Sequence, residues 1–215
     1  MFIDETTFSK GLHQTRGRSE RGTVATMPVL NSGGVGMKVC AAVSPVIGLV
    51  YYVTQLTAWT GEDFARFMQR LCDTDFCKDR SMIFVLDNVA LHFTPAVKDA
   101  MDALETQPQI ERLPVYSPHL HPIEYCFHNW KTELKHIDQV HDTRNLQEQV
   151  DETRIHITAE LVSNITTHVY QLYAHCMEDL PLEDFKPIGH RVARARDEAA
   201  LQRDVIRAGS EQTTE

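Results

Sequence analysis

The amino-acid sequence predicts an α/β fold: a five-stranded mixed sheet of three antiparallel and two parallel strands, flanked by helices, with extra helices at the C-terminus. Three observations carry this. Before Thr60 the chain shows three strand-like patterns separated by turn residues, and no helical period. Between Thr60 and Lys135, helical and strand periods alternate, the order that adds parallel strands to a sheet. From about Thr143 to Met177 only helically spaced apolar residues remain.

The first strand is MFIDETTF, with Phe2 and Phe8 flanking polar positions. RGRSERG (Arg16–Gly22) and NSGGVG (Asn31–Gly36) are turns, and the second lacks the Gly-Lys-Ser/Thr of a P-loop. MKVCAAVS (Met37–Ser44) and GLVYYVTQLT (Gly48–Thr57) are strands, with PVIG as the hairpin connection. TGEDFARFMQRLC is a helix: Thr60 and Asp63 form a capping box, and Phe64, Phe67, Met68 and Leu71 share a face. SMIFVLDN (Ser81–Asn88) is a continuous apolar run, as for a strand buried on both faces, and it ends on Asp87. TPAVKDAMDAL is a helix with Thr94 as N-cap, Pro95 first, and Val97, Ala100, Met101 and Leu104 as its stripe. IERLPVY (Ile110–Tyr116) is the fifth strand, followed by a loop with prolines at 114, 118 and 122, then a helix whose stripe is Ile123, Phe127, Trp130 and Leu134. Later apolar positions are Leu146, Val150, Ile157, Leu161, Ile165, Val169 and Leu172. The expected division is a core over 1–140, C-terminal helices packing on it over 141–187, and a charged helix or flexible tail over 188–215. This β-β-β-α-β-α-β-α order is that of an RNase H-like fold.

Composition narrows the chemistry. Hydrophobic residues make up 42% and charged residues 24% of 215, ordinary values for a globular protein. No apolar run reaches the roughly 18 residues of a membrane span, and no secretory signal opens the chain. Five scattered cysteines suit free thiols, so an intracellular, reducing location is expected. The net charge of −9 sits mainly in the C-terminal part: residues 1–135 hold 13 basic and 15 acidic side chains, residues 136–215 hold 8 and 15. A core that is nearly neutral while carrying acidic metal ligands can still have a basic face.

Three carboxylates stand where open α/β sheets build sites. Asp4 lies in the first strand, Asp87 at the C-terminal end of the fourth, and Glu124 at the start of the helix after the fifth. If the first and fourth strands are neighbours, the three approach one another. Converging carboxylates repel unless cations neutralise them, and oxygen-only donors select hard ions such as Mg²⁺ or Mn²⁺. Two such ions about 3.5–4 Å apart catalyse phosphodiester displacement. The three prolines stiffen the loop that delivers Glu124. Glu124, His128 and Lys131 share a helix face, which could address metal and phosphate or be a solvated face with an ordinary ion pair.

The motifs resemble a known family. FIDE with Asp4, VLDNVALH with Asp87, Asn88 and His92, and LPVYSPHLHPIEYCFHNWK with Glu124 and Trp130 are similar to the catalytic domain of mariner-superfamily DDE transposases, over about Phe2 to Lys135. The resemblance implies Asp4, Asp87 and Glu124 as catalytic and metal-binding triad, two Mg²⁺ per site with Mn²⁺ as substitute, and DNA strand cleavage and strand transfer. It implies double-stranded DNA as partner, both element ends and target, a homodimer, and a nuclear location in a eukaryotic host. Arg16, Arg18 and Arg21 match the family's basic turn and, with Lys131, are candidate DNA contacts. Asn88, His92, His119, His121 and His128 are candidate auxiliary residues, and His92 is expected near phosphate. The family's loop usually carries Asp and Asn where this chain has His119 and His121, and 36 residues separate Asp87 from Glu124, slightly more than is commonest. The family's helix-turn-helix domains precede its catalytic domain. Here Met1 almost abuts the first strand, so a catalytic core without its DNA reader is expected. The alternative is a catalytically silent, transposase-derived interaction or dimerisation module. Zinc at His119, His121, Cys126 and His128 is disfavoured, because their spacing matches no common structural site.

Overall fold

The computed structural model describes residues 1–9, 19–24, 36–138 and 145–177. Five strands, β1 (Phe2–Phe8), β2 (Met37–Ser44), β3 (Gly48–Gln55), β4 (Ile83–Leu86) and β5 (Gln109–Arg112), form one sheet in the order β3-β2-β1-β4-β5. The β1–β2 and β2–β3 pairs are antiparallel, and β1–β4 and β4–β5 are parallel. This is the predicted mixed sheet, with β1 at its centre.

The helices are α1 (Gly61–Cys72), α2 (Pro95–Asp102), α3 (Pro122–Asp138), α4 (Leu146–Thr153) and α5 (Ala159–Met177). The capping box of α1 is made: the Asp63 N–H donates to Thr60 Oγ1 and the Thr60 N–H to Asp63 Oδ2. Phe64, Phe67, Met68 and Leu71 of α1 and Val97 and Met101 of α2 bury against Ile3, Cys40, Phe84 and Leu86 of the sheet. The other face of β1 meets α3. Alternation along a strand sends Phe2, Asp4, Thr6 and Phe8 to that side, where Phe8 packs edge-on to Trp130 at 5.3 Å between centroids. Trp130 is 1% exposed, and its indole N–H donates to Thr153 Oγ1 (3.0 Å) and the Val150 carbonyl (3.3 Å). That bond ties α3 to α4.

Several boundaries differ from expectation for identifiable reasons. β5 ends at Arg112 because Pro114 has no N–H and restricts Leu113. β4 has four residues, and Ile83 at its start is half exposed although its carbonyl accepts the Met1 amino group and it pairs with Gln109 of β5. Thr94 makes no side-chain cap for α2. Its side chain instead stands against Gly61 at the start of α1, where even a Cβ would meet it at 2.5 Å.

The chain divides into two compact units, Met1–Val169 and Tyr170–Glu215. The second is described only to Met177, as helix in which the Tyr170 and Tyr173 rings lie 5.9 Å apart. The expected tail over 188–215 lies outside the described residues. No helix among the described residues is long and apolar enough to cross a membrane.

Candidate active site

β1 and β4 run parallel side by side, so the middle of β1 and the C-terminal end of β4 open on the same end of the sheet. Asp4, 7% exposed, projects from β1 on the α3 side. Its Oδ1 accepts the Glu5 backbone N–H at 2.7 Å. Asp87 follows the last residue of β4, and Leu86 is fixed there by its carbonyl accepting the Leu113 N–H at 2.9 Å. Glu124 sits in the first turn of α3. Asp4, Asp87 and Glu124 line one cavity of about 320 Å³, with Asn88, His121 and the loop from Leu113 to Pro118.

The loop is locked by its own chemistry. Pro118 opens a one-turn 3₁₀ helix and Pro122 is the first residue of α3, where its missing N–H costs nothing. The His121 carbonyl accepts the Glu124 N–H (3.1 Å), and the Tyr125 hydroxyl donates to the His119 carbonyl (3.1 Å). Tyr116 holds φ +58° and is 98% exposed at the cavity mouth, an unusual conformation for an aromatic residue.

The electrostatics are those of crowded anions. Glu124 is exposed as a residue, yet partial desolvation of its carboxyl pushes it up, and the charges of Asp4 and Asp87 add to this, beyond what His121 and Lys131 offset. Asp87 goes the other way. Its own burial is outweighed by contact with His92, the His92 charge, the Val89 N–H and His121, leaving it below the usual carboxylate range. His92 is 0% exposed. Its Nδ1 lies 2.8 Å from Asp87 Oδ1, close enough to attract although too poorly aligned for a hydrogen bond. Its Nε2 faces both Glu5 oxygens at 3.0 and 3.1 Å. Burial alone would lower the imidazole; these two carboxylates outweigh it and raise its pKa to about 10. His121 is also buried, with Nδ1 3.4 Å from Asp4 Oδ2 and no hydrogen-bond partner on either nitrogen.

Residues 1–147 match the family model described as DDE superfamily endonuclease. The chain belongs to that family. Solved structures of the mariner Mos1 transposase share the DDE fold of this chain. A paired-end complex with left transposon end matches at 19% identity and TM-score 0.64, over 83% of this chain and 54% of that one. A mariner paired-end complex with Mn matches at 17% and 0.65, with the same coverage. The Mos1 catalytic domain alone matches at 15% and 0.54, over 83% and 81%. The chain thus spans about half the length of the first two and most of the isolated catalytic domain. No curated protein matches it.

In this DDE domain the other predicted residues fall in different places. Asn88 lines the cavity. His92 is fully buried, packed behind Asp87 and outside the cavity lining. His119 is half-buried, and His128 is exposed on α3. Lys131 lays its Nζ 2.5 Å from Thr6 Oγ1, over the Phe8 ring. Arg21 is exposed in a turn, while Arg16 and Arg18 lie outside the described residues. Among the described residues, His119, His121, Cys126 and His128 form no metal-holding group; the one such group is Asp4, Asp87 and His92. Sequence reasoning missed Glu5. Its signal was strand alternation, which places a charge beside Asp4 but on the sheet face opposite α3.

Proposed function

We propose that this DDE domain is the catalytic core of a mariner-type transposase, carrying out divalent-metal-dependent DNA strand cleavage and strand transfer. The observation that carries the proposal is the meeting of Asp4, Asp87 and Glu124 on one cavity at the end of the sheet. The donor set fits a hard divalent cation: all three are oxygen ligands on one cavity, Asp4 and Asp87 offer oxygens within 4.8 Å of each other with Glu124 outside that tight group, and a dication would relieve the repulsion that raises Glu124.

Asp4, Asp87 and Glu124 would hold Mg²⁺, with Mn²⁺ as a substitute, as two ions. Bound there, the metal supplies Lewis acidity to phosphodiester displacement. The chain's own residues do the rest. His121 walls the cavity beside Asp4, and Asn88 offers an amide beside Asp87. The loop around Pro118 keeps Glu124 in place. Duplex DNA, as element ends and target, is the proposed substrate, with Arg16, Arg18, Arg21 and Lys131 as candidate backbone contacts; a homodimer would pair two ends. The Mos1 complexes with transposon-end DNA, with Mn and with Mg support this reading. The five free cysteines suit a reducing compartment, the nucleus in a eukaryotic host. Residues 1–140 would form the catalytic core and 141–187 the helices that brace it.

Purified protein incubated with supercoiled and linear duplex DNA tests this. Nicking is expected with Mg²⁺ or Mn²⁺, not with EDTA, and is expected to vanish in Asp87→Ala. Equal cleavage by wild type and variant refutes the mechanism.

A further inference from the structure

Tyr52, Asp151, Arg154 and Gln147 form a hydrogen-bonded brace between β3 and α4. The Asp87–His92–Glu5 row is different, because one end of it belongs to the cavity. We propose that His92 and Glu5 form a buried strut that fixes the side-chain orientation of Asp87, so that His92 is a positioning residue and not a metal ligand or phosphate contact. The inference rests on Asp87 serving as a metal ligand.

Four observations carry it. His92 has no solvent exposure and does not line the cavity, whereas Asp87 does. Both ring nitrogens already face carboxylates, Nδ1 toward Asp87 Oδ1 and Nε2 toward both oxygens of Glu5. The ring is clamped against Phe64, centroids 4.4 Å apart at 34°, and its backbone N–H donates to the Val89 carbonyl at 3.1 Å. Finally, Asp87 Oδ1 is buried on the His92 side while a third of the side chain remains exposed, which leaves the rest of the carboxylate on the cavity wall. A carboxylate just past a strand end has free χ angles; the imidazole Nδ1 at 2.8 Å, an ion contact and not an aligned hydrogen bond, backs one oxygen and narrows that freedom. Outer partners of this kind are worth roughly 10–100-fold in metal affinity. Glu5 acts through His92: on β1 it points away from Asp4, and its partner is the imidazole.

The test is calorimetric titration of the full chain with MnCl₂ and separately with MgCl₂, alongside melting curves in EDTA. His92→Phe keeps a ring against Phe64 and removes both nitrogens. It is expected to weaken both metals by roughly 10–100-fold. Glu5→Gln is expected to weaken both by an amount toward the lower end of that range. The double variant is expected to bind no more weakly than His92→Phe alone, within about twofold. Asp87→Ala separates the two layers of reasoning. If wild type and Asp87→Ala bind alike, the metal-site reading fails and the strut falls with it. If Asp87→Ala loses binding but His92→Phe matches wild type, the strut alone is refuted. Loss of Mn²⁺ without loss of Mg²⁺ in His92→Phe would mark a nitrogen ligand, and also refutes it. Should His92→Phe fail to fold, Glu5→Gln decides: wild-type affinity there overturns the proposal.

Discussion

Trp130→Phe tests whether α3, and with it Glu124, is held in place by α4. The indole is buried, and Phe conserves its edge-on contacts with Phe8 and Tyr52 while losing the N–H and two ring carbons. The lost carbons cost roughly 1.5 kcal/mol at about 0.8 kcal/mol per buried carbon group. The hydrogen bond adds about 1 kcal/mol. The larger penalty of an orphaned buried group does not apply, because both acceptors keep other partners: Thr153 Oγ1 donates to the Gln149 carbonyl at 2.7 Å, and the Val150 carbonyl accepts the Arg154 N–H. The total is roughly 2–3 kcal/mol, or about 4–12 °C in Tm for a chain of this size. Scanning calorimetry measures it directly. A Thr153→Val background separates the hydrogen bond from the packing, since the two substitutions share one interaction and should be less than additive. A shift below about 2 °C, or full additivity, would refute this account of the α3–α4 junction.

Metal-free stability should depend on pH through His92. Its pKa is raised on folding, so its contribution is complete below about 6.5 and is lost as pH rises toward about 10. Tm in EDTA is expected to fall across that window, and His92→Phe to flatten the fall; a flat wild-type profile contradicts the buried ion contacts. Glu124 is also raised on folding, so its ionisation costs stability, and Glu124→Gln is expected to raise the metal-free Tm at neutral pH while abolishing cleavage. Mn²⁺ at 100 times its Kd should stabilise wild type by about 2.7 kcal/mol and leave Asp87→Ala unmoved in a thermal melt. Gly48→Ala should cost about 2 kcal/mol or more by denaturant titration, because φ is +86° and a Cβ would meet the Ile157 carbonyl oxygen at 2.3 Å.

Much of this was legible in the residues. The order of elements, the Thr60–Asp63 capping box and the stripe of Ile123, Phe127, Trp130 and Leu134 follow from spacing, and all four stripe residues are buried. What spacing cannot give is the partner. Lys131 shares a helix face with Glu124, yet its ammonium lies over the Phe8 ring and donates to Thr6 Oγ1, 125 residues away. Glu5 and His92 are 87 apart and meet only because β1 and β4 are neighbours. Tyr116 carries no Gly or Asn signal for its positive φ, so nothing in the residue pattern announces it.

The loop between β5 and α3 shows how the site's cost is spread over local structure. Each proline does a separate job: Pro114 follows Leu113 and ends β5, Pro118 starts the 3₁₀ turn, and Pro122 starts α3. Together they set where the helix begins, and the helix beginning sets where Glu124 lies. That position answers the electrostatic problem in part. A carboxylate in the first turn of a helix meets the positive end of the backbone dipole, worth roughly 0.3–1 kcal/mol. That favourable field opposes the repulsion from Asp4 and Asp87, yet Glu124 remains raised. The dipole therefore does not neutralise the cavity, His92 compensates only Asp87 and Glu5, and His121 stands 3.4 Å from Asp4 without a hydrogen bond. The remaining anionic charge faces the cavity, which is the charge that the proposed divalent cation would neutralise.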